Sequence, residues 1–575
     1  MLDSYNNSVN NNKDTLAMSI INKLMYKSLL TAGIFVEKNF IKQTKNPLEV
    51  NSSILFKTLK SNMDTEIGRK YNFKNINSIE DFKKSFPLTE YNFYNTYIQK
   101  MAIGKKNVLF KDDIEYFCHT SGTTGKQKLI PVTKKSRLTA SKYMGILLQK
   151  FAYENFKDNW SYERGLLISD MVTTTHTAAD IPICSATAGG MKAMKHIFPF
   201  MYTSPIEVMY VKNKNTSLYL HLLFALRESK LMYLAGVFIS NILDLLRELE
   251  YSYKDLIDDI KKGRVNKKLN IDYKTRKKLN SYLTPNASRA DQLDKEFKKG
   301  FKGICKRIWP KLTYLACVAG ATFSIYHDPV NYYTDNLPIY SPCLSASEGT
   351  FGINKSSKEI KYIIIPDTVF YEFIKAEDSY KENPKTFCIN ELEIDESYEV
   401  VLTNFAGLYR YRLGDVVKVT GFFNACPEVI FLYRRNQILN MASEKTTEDH
   451  ITYAINATMK KFNIDLIDYT TIADNSTSPG RYVFYMEFNK SISPSVQKAL
   501  EHTLDLELQK SNLAYGRFRK NNRLAALEIT LLSRNTFSKI KESLYKKGVS
   551  KNQIKIPRVV TDKKKILSII NENSL

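Results

Sequence analysis

The sequence predicts an α/β protein whose first half is rich in helices and whose second half is rich in strands. Apolar residues recur at helical spacing over 15–66, 135–156 and 216–262. From Trp309 onward, short strand-like runs such as Tyr314–Val318 are separated by Gly and Pro turns. The composition, 43% apolar and 12% aromatic over 575 residues, is that of a folded chain of roughly two to four domains.

The other predicted elements follow from shorter patterns. Leu166–Ser169 and Pro182–Cys184 are predicted as short strands, and the charged segment 265–300 as a helical excursion on the surface. The longest apolar run, Leu231–Leu246, contains polar residues and is shorter than the roughly 20 residues of a membrane span. We therefore expect a buried helix there and no membrane partner. Residues 1–20 lack the apolar segment of a signal peptide, which predicts a cytoplasmic protein.

The chain is strongly basic, with 84 Lys and Arg against 59 Asp and Glu and a formal charge of +25. A nucleic-acid partner is the first class of ligand that such a charge raises. However, the densest runs, Lys274–Lys278 and Lys563–Lys565, are short and lack interleaved aromatic residues for base stacking. We expect solvated faces and no nucleic-acid partner. The same positive field favours anionic substrates such as ATP.

The seven cysteines are scattered without any C-x-x-C pair, which favours reduced, buried thiols over disulfides or zinc. The seven histidines show no metal-ligand spacing either. The sequence therefore predicts no structural metal site.

A loop rich in hydroxyl groups and glycine lies between two apolar runs, 114–117 and 129–132. Pro131 disfavours a helix after the loop, so the pattern predicts strand–loop–strand. Backbone N–H groups and hydroxyls in such a loop form a concave set of donors for a phosphate. The spacing does not match a Walker loop, and an ordinary surface turn is the alternative. The loop consists of Thr120, Ser121, Gly122, Thr123, Thr124 and Gly125.

Three further segments carry candidate functional side chains. Glu348 follows small residues beyond an apolar run, where a carboxylate suits Mg²⁺ beside phosphates; the alternative is an exposed loop glutamate. Asp415 follows a turn before a strand and is a candidate acceptor for ribose hydroxyls. Arg410 and Arg412 alternate with tyrosines, which places both arginines on one face of a strand, and pairing with surface carboxylates is the alternative to a role in the site. Lys555 is a candidate to stabilise a leaving pyrophosphate, against the alternative of a surface lysine.

Together these segments resemble one family. The loop Thr120–Lys128 resembles the ATP-phosphate loop of the adenylate-forming superfamily, [ST]-[SG]-G-[ST]-T-G-x-P-K, with Gln127 where proline is usual. Combined with Leu344–Asn354, Tyr409–Phe422 and I-K-I-P-R at 554–558, it resembles the acyl-acid amido synthetases of the Gretchen Hagen (auxin-responsive) family. Four ordered motifs are far more specific than any one of them.

The resemblance extends from about Phe86 to about Val560 and implies a two-part architecture. Residues 1–433 would form a large adenylate-forming domain, with β-sheets flanked by helices and a part resembling a β-barrel. Residues 434–575 would form a smaller, mobile α+β domain. The default expectation for the oligomeric state is a monomer.

The resemblance also assigns roles to individual residues. It implies that residues 120–125 wrap the ATP phosphates with Lys128 beside them, and that Ser347 and Glu348 bind nucleotide and Mg²⁺. It implies that Asp415 binds the ribose and that Lys555 serves adenylation. Arg434 at the hinge and Lys445 in the following loop would reach the nucleotide again. In V-A-G-A-T-F at 318–323, alanines replace the T-G-S of relatives, so contacts at those positions are not carried over.

The implied reaction has two steps. A carboxylate attacks the α-phosphate of ATP to give an acyl adenylate and pyrophosphate, and an amine, usually that of an amino acid, then displaces AMP. The alternative is transfer of the acyl group to coenzyme A or a carrier thiol. A third interpretation, a basic binding protein without turnover, is disfavoured because it has no need of Glu348, Asp415 and Lys555 together.

Overall fold

A computed structural model describes residues 12–119, 128–435, 439, 441, 444, 446–546, 555–560, 568–570 and 572–573. The predicted phosphate loop 120–125 and Lys445 lie outside the described residues.

The four sheets of the described chain contain eighteen strands. The strands are β1 (Ile114–His119), β2 (Leu129–Thr133), β3 (Leu166–Ile168), β4 (Thr173–His176), β5 (Pro182–Cys184), β6 (Tyr233–Phe238), β7 (Tyr314–Val318), β8 (Ile339–Tyr340), β9 (Cys343–Ala346), β10 (Gly349–Ile353), β11 (Tyr362–Ile364), β12 (Phe370–Lys375), β13 (Ser397–Thr403), β14 (Tyr411–Phe423), β15 (Cys426–Arg434), β16 (Leu466–Asp474), β17 (Arg481–Phe488) and β18 (Glu528–Leu532).

The helices precede and flank these sheets. Those of eight residues or more are Asn12–Lys45, Pro47–Asn62, Tyr91–Ala102, Lys134–Ser141, Leu148–Phe156, Ala186–Ala193, Lys214–Arg227, Ile239–Lys262, Tyr273–Asn280, Ala287–Phe297, His327–Thr334, Glu448–Phe462, Pro494–Ser511, Leu513–Lys520 and Thr536–Lys546. The shorter α-helices are Glu66–Lys70, Ile79–Ser85, Phe198–Met201 and Ile304–Ile308.

Two four-stranded sheets and one seven-stranded sheet surround the site. One sheet has the order β2-β1-β5-β4, and the other, β3-β6-β7-β8, is parallel throughout. The antiparallel sheet β12-β13-β14-β15-β11-β10-β9 corresponds to the part predicted to resemble a barrel. The smaller C-terminal part is built on β16-β17-β18 and has hydrophobic clusters of its own. The predicted α/β class and two-part architecture are confirmed.

The prediction of a buried helix over Leu231–Leu246 is wrong in its first half. Tyr233–Phe238 is β6, the second strand of the parallel sheet, and the helix begins only at Ile239. A parallel strand covered on both faces is apolar throughout, so its pattern does not differ from that of a buried helix. No helix in the described part of the chain is both long and apolar enough to cross a membrane.

The helix predicted over 135–156 is interrupted by a π-helical turn. The segment is α-helical over Lys134–Ser141, π-helical over Lys142–Leu147 and α-helical again over Leu148–Phe156. Such turns hold one extra residue and are common at functional sites. Here the turn places Met144 and Gly145 at the wall of the central cavity.

The C-terminal part contacts the N-terminal part through buried charges. Arg558 donates hydrogen bonds to Asp468 on β16 and, over 2.8 Å, to the Tyr326 hydroxyl of the N-terminal part. The Tyr326 hydroxyl in turn donates to Asp468 Oδ2 at 3.0 Å. Arg558 and Asp468 are both about 98% buried, so their charges compensate each other away from water.

Candidate active site

A cavity of about 900 Å³ lies where the sheets and the C-terminal part meet. Its wall collects most of the predicted site residues that the structure describes: Lys128, Ser347, Glu348, Asp415, Arg434 and Lys555. These residues come from separate strands, turns and the C-terminal segment, so the fold brings together side chains that are distant in sequence. A deep cavity with a few converging charges is the usual form of a small-molecule site.

The predicted phosphate loop joins two adjacent strands of one sheet. β1 and β2 are antiparallel, and His119 is paired with Leu129 at the end where the loop begins and ends. The predicted strand–loop–strand arrangement is therefore confirmed for the flanking strands. Lys128, which directly follows residues 120–127 in the chain, lines the cavity.

Glu348 lies in a two-residue turn between β9 and β10, together with Ser347. The Asn404 side-chain amide donates to the Glu348 carbonyl oxygen at 2.9 Å, which fixes the turn. The Tyr411 hydroxyl donates to Glu348 Oε1 at 3.4 Å. Burial raises the pKa of the Glu348 carboxyl, and the positive charges of Arg434 and Lys128 partly oppose that rise.

Asp415 and Arg434 face each other on neighbouring strands. They are paired in the antiparallel register of β14 and β15, and Arg434 Nε donates to Asp415 Oδ1 at 2.6 Å. Asp415 is buried, whereas 47% of the Arg434 side chain is exposed toward the cavity. The Asp415 charge raises the pKa of Arg434 further. The pair therefore offers a cation and a fixed carboxylate at the same wall.

Lys128 is a half-buried cation near Glu348. Its ammonium lies 5.3 Å from the centre of the Tyr91 ring. Burial lowers the pKa of Lys128, and the Glu348 charge opposes that change. A partly desolvated ammonium interacts more strongly with an incoming anion than an exposed one does.

Arg410 and Arg412 have structural roles. Arg410 precedes β14 in a left-handed conformation and binds the buried Glu372, with Nη2 at 2.8 Å from Oε1. Arg412 binds Glu399, with Nε at 3.1 Å from Oε1. The carboxylate-pairing alternative is therefore correct for both arginines. The carboxylates are buried in the sheet, and not on the surface.

Lys555 reaches the cavity from the C-terminal part. Its ammonium lies 3.6 Å from Glu448 Oε2 and 5.3 Å from the centre of the Phe323 ring. Asp449, next to Glu448, also lines the cavity. Burial, together with the Glu448 charge, raises the pKa of Asp449 to about 7, against the opposing charge of Lys555.

The donor set fits a magnesium ion that is bound mainly through phosphate oxygens. Among the described residues, no group of three or more His, Cys, Asp or Glu side chains could hold a metal on its own. Mg²⁺ commonly uses one or two carboxylates and completes its shell with phosphate and water. Glu348 is a carboxylate at the cavity beside two cations, which is compatible with that type of binding.

Much of the remaining wall is apolar. Met144 and Gly145 of the π-helical turn contribute to it, as do Met191 and Met194 of helix Ala186–Ala193 and its C-terminal cap. A methyl group added at Gly145 would lie 3.3 Å from the Met194 methyl carbon. Arg137 also lies in this part of the wall, where its charge is paired with Glu115 through Nη2 at 2.9 Å and through Nε. The flexible thioether side chains of these methionines adapt to apolar ligands.

Several site residues were not predicted from the sequence. Tyr411 lies within the Y-R-Y-R segment, where only the arginines carried an obvious signal. Tyr91, Asn404, Glu448 and Asp449 belong to no recognised pattern, and only the tertiary fold brings them to the site. The methionines at 191 and 194 have the spacing of one helix face, which is equally typical of an ordinary core.

Three family models match consecutive parts of the chain. The GH3 family N-terminal domain matches residues 36–339, the central domain 362–434 and the C-terminal domain 449–564. The chain belongs to the GH3 family. This confirms the family predicted from the four motifs.

Named relatives cover most of this GH3 protein. It is 30% identical to the probable indole-3-acetic acid-amido synthetase GH3.11 of Oryza sativa subsp. japonica, over 90% of this chain and 92% of the relative. It is 28% identical to the 4-substituted benzoates-glutamate ligase GH3.12 of Arabidopsis thaliana, over 91% of this chain and 95% of the relative.

Solved structures support the same placement. The GH3.15 acyl acid amido synthetase is similar with a TM-score of 0.84 and 26% identity, covering 93% of this chain and 95% of that one. A 2-hydroxyisobutyryl-CoA ligase in complex with 2-HIB-AMP is similar in fold alone, with a TM-score of 0.50, 11% identity and 92% of each chain covered. Because this CoA ligase shares only the fold, its similarity gives no support to the alternative in which the acyl group is transferred to coenzyme A.

Proposed function

We propose that this GH3 protein is a ligase that activates a carboxylic acid with ATP and joins the acyl group to the amine of an amino acid. The observation that carries the proposal is the convergence of Lys128, Glu348, Asp415, Arg434 and Lys555 on one cavity. The names of its relatives, which include amido synthetases and an amino-acid ligase, support the same reaction.

In the first step, the acid carboxylate attacks the α-phosphorus of ATP, an acyl adenylate forms, and pyrophosphate leaves. The protein positions the reactants and compensates negative charge as it moves onto the leaving group. We assign that compensation to Lys128 and Lys555, and nucleotide binding to the loop 120–125, Ser347, Asp415 and Arg434, with Lys445 in the following loop.

Glu348 is the residue that we expect to hold Mg²⁺. When bound, the ion supplies positive charge to the phosphate oxygens. The Asn404 hydrogen bond to the Glu348 carbonyl oxygen fixes the backbone of the turn, and the Tyr411 hydroxyl contacts the Glu348 carboxylate at the cavity.

In the second step, the neutral amine attacks the acyl carbonyl carbon, AMP leaves with the electrons of the broken C–O bond, and the amine nitrogen releases one proton to solvent. Because the adenylate also reacts with water, the apolar wall protects it by excluding solvent. The methionines of that wall favour an apolar aryl or alkyl acid over an acid with a second charge.

We further infer that the C-terminal part, from residue 434 onward, moves as a domain between the two steps. β15 ends at Arg434, and the matched C-terminal family model begins at residue 449, which supports a boundary between them. The monomeric state, the cytoplasmic location and the lack of a nucleic-acid partner stay predictions.

The proposed function is tested by measuring pyrophosphate release from Mg·ATP across a panel of aryl, alkyl and dicarboxylic acids, with and without amino acids. We expect release that depends on an apolar acid and an amide product detected by mass spectrometry. Glu348→Ala should abolish Mg²⁺-dependent release, and Lys555→Ala should slow release strongly, to a small residual rate, while ATP binding persists. A thioester formed only with coenzyme A, or release that is unchanged in both variants, would contradict the proposal.

A further inference from the structure

The environment of the Lys555 ammonium contains a buried carboxylate that no motif singled out. Glu448 is the first residue of helix Glu448–Phe462, and 99% of its side chain is buried. Lys555 contributes to the cavity wall, and Glu448 does not. The Glu448 carboxylate therefore contacts the lysine without being part of the wall itself.

The burial of Glu448 requires a compensating charge. Its Oε1 has no hydrogen-bond partner among the residues that the structure describes. Its Oε2 lies 3.6 Å from the Lys555 ammonium. Among the described residues, Lys555 is the cation that forms an ion pair with Glu448. Two described residues that its charge also acts on, Asp449 and Tyr469, supply no positive charge. An unpaired carboxylate in this position would be strongly unfavourable.

The geometry of the pair leaves the lysine available to a ligand. A separation of 3.6 Å is an ion pair, but it is longer than a hydrogen bond. The Lys555 ammonium makes no hydrogen bond to a described residue, and its other close contact is the face of the Phe323 ring. Charge attraction thus holds the ammonium in place while its three N–H donors can still turn toward a phosphate oxygen.

We propose that Glu448 is the positioning residue for Lys555. It holds the lysine ammonium at the cavity wall for adenylation. Both residues lie in the C-terminal part, so the pair travels as a unit when that part moves. The proposal rests on the proposed function for its kinetic readout only, because the contact itself can be measured without turnover.

The kinetic test is a double-mutant cycle of Glu448→Gln and Lys555→Ala, measured as pyrophosphate release. Glu448→Gln keeps the size of the side chain and removes its charge. We expect kcat to fall at least about tenfold, while KM for ATP changes less than about threefold. In the Lys555→Ala background, the same substitution should change the residual rate less than about twofold. Effects that multiply in the double variant would overturn the proposal.

A matched control separates positioning from general destabilisation. Glu487 is also a buried carboxylate of the C-terminal part, and it accepts hydrogen bonds from the Asn535 and Phe537 backbone N–H groups at 2.7 and 2.9 Å, remote from the cavity. Glu487→Gln should leave kcat within about twofold of the parent protein. An equal loss of kcat in both variants would show that Glu448 acts through stability alone, which contradicts the proposal.

The contact is tested independently of turnover by the rate at which Lys555 is acetylated by a water-soluble active ester, followed by peptide mass spectrometry. Without the Glu448 charge, the Lys555 side chain, of which 26% is exposed, is no longer held in its ion-pair position, and its amine reaches the reagent more easily. We expect labelling of Lys555 to accelerate at least about threefold in Glu448→Gln and to stay unchanged in Glu487→Gln. An unchanged rate of Lys555 labelling in Glu448→Gln would overturn the proposal, whether or not the protein forms an amide. Failure of the proposed function is a separate result, which would appear as missing pyrophosphate release in the parent protein.

Discussion

At the scale of single residues, the site consists of charges whose partners are known only from the fold. Glu348, Asp415 and Lys555 could be selected from the sequence because each lies in a motif that resembles a nucleotide-binding family. Glu448 could not, because a carboxylate at the start of a helix is normally solvated and favourable there. Its burial depends on where the segment 555–560 meets β16, which Val559 bridges at Thr471. Sequence patterns do not specify such long-range pairing.

Asp449 gives a prediction for stability against pH. Its pKa is raised from 3.8 to about 7 by burial, so the folded protein retains a proton that the unfolded chain has lost. Between these two pKa values, the contribution of Asp449 to the free energy of unfolding falls as pH rises, and above about pH 7 it is constant. Asp449→Asn removes this penalty. We expect its melting temperature to exceed that of the parent by an amount that grows from about pH 4 to about pH 7.

The control for this prediction is Asp474→Asn, which should show the opposite sign. Hydrogen bonds from Ser476, mainly from its backbone N–H and also from its side chain, lower the pKa of Asp474. The ionised form of Asp474 therefore contributes stability that is present at neutral pH and lost in acid. Asp474→Asn should therefore melt below the parent at neutral pH. A difference of the same sign in both variants would contradict the assignment for Asp449.

At the scale of elements, the second half of the chain was the easier half to predict. The strand predicted over Tyr314–Val318, for example, is β7 in the structure, because Pro and Gly residues bound its apolar run on both sides. The parallel strand β6 could not be separated from the helix that follows it, because both are apolar and no breaker divides them. The π-helical turn Lys142–Leu147 has no sequence signature at all, and it forms part of the cavity wall.

That turn gives a prediction for acid selectivity. A methyl group at Gly145 would meet the Met194 methyl carbon at 3.3 Å and press that side chain into the cavity. We expect Gly145→Ala to raise KM for the acyl acid about three- to tenfold while KM for ATP changes less than about twofold. Gly190→Ala adds a methyl group to open space in the same wall and should have the smaller effect. An equal rise of both KM values in Gly145→Ala would place the turn against the nucleotide instead.

At the scale of the whole molecule, the division into two parts was predictable but their contact was not. The motifs at 409–422 and 554–558 indicated a large and a small part through their resemblance to a family. They gave no indication that Arg558, within the second motif, is buried between Asp468 and Tyr326. A further hydrogen bond, from Asn456 Nδ2 to Ser324 Oγ at 3.1 Å, joins the same two parts. These contacts belong to the arrangement in which Lys555 reaches the cavity.

Tyr326→Phe tests whether that arrangement serves the first half-reaction. The substitution removes the Tyr326 hydroxyl, which bonds both Arg558 and Asp468 across the contact, at a cost of about 1 kcal/mol. That cost lowers the equilibrium constant for this arrangement about fivefold, and its population falls by a similar factor where the arrangement is the minor state. We expect the rate of pyrophosphate release to fall by a similar factor, while aminolysis of supplied acyl adenylate is unchanged or faster. Tyr333→Phe is the matched control, because the Tyr333 hydroxyl bonds Glu250 within the N-terminal part alone. If Tyr326→Phe slows both half-reactions equally, the contact stabilises the fold without favouring one step, and the assignment of this arrangement to adenylation is wrong.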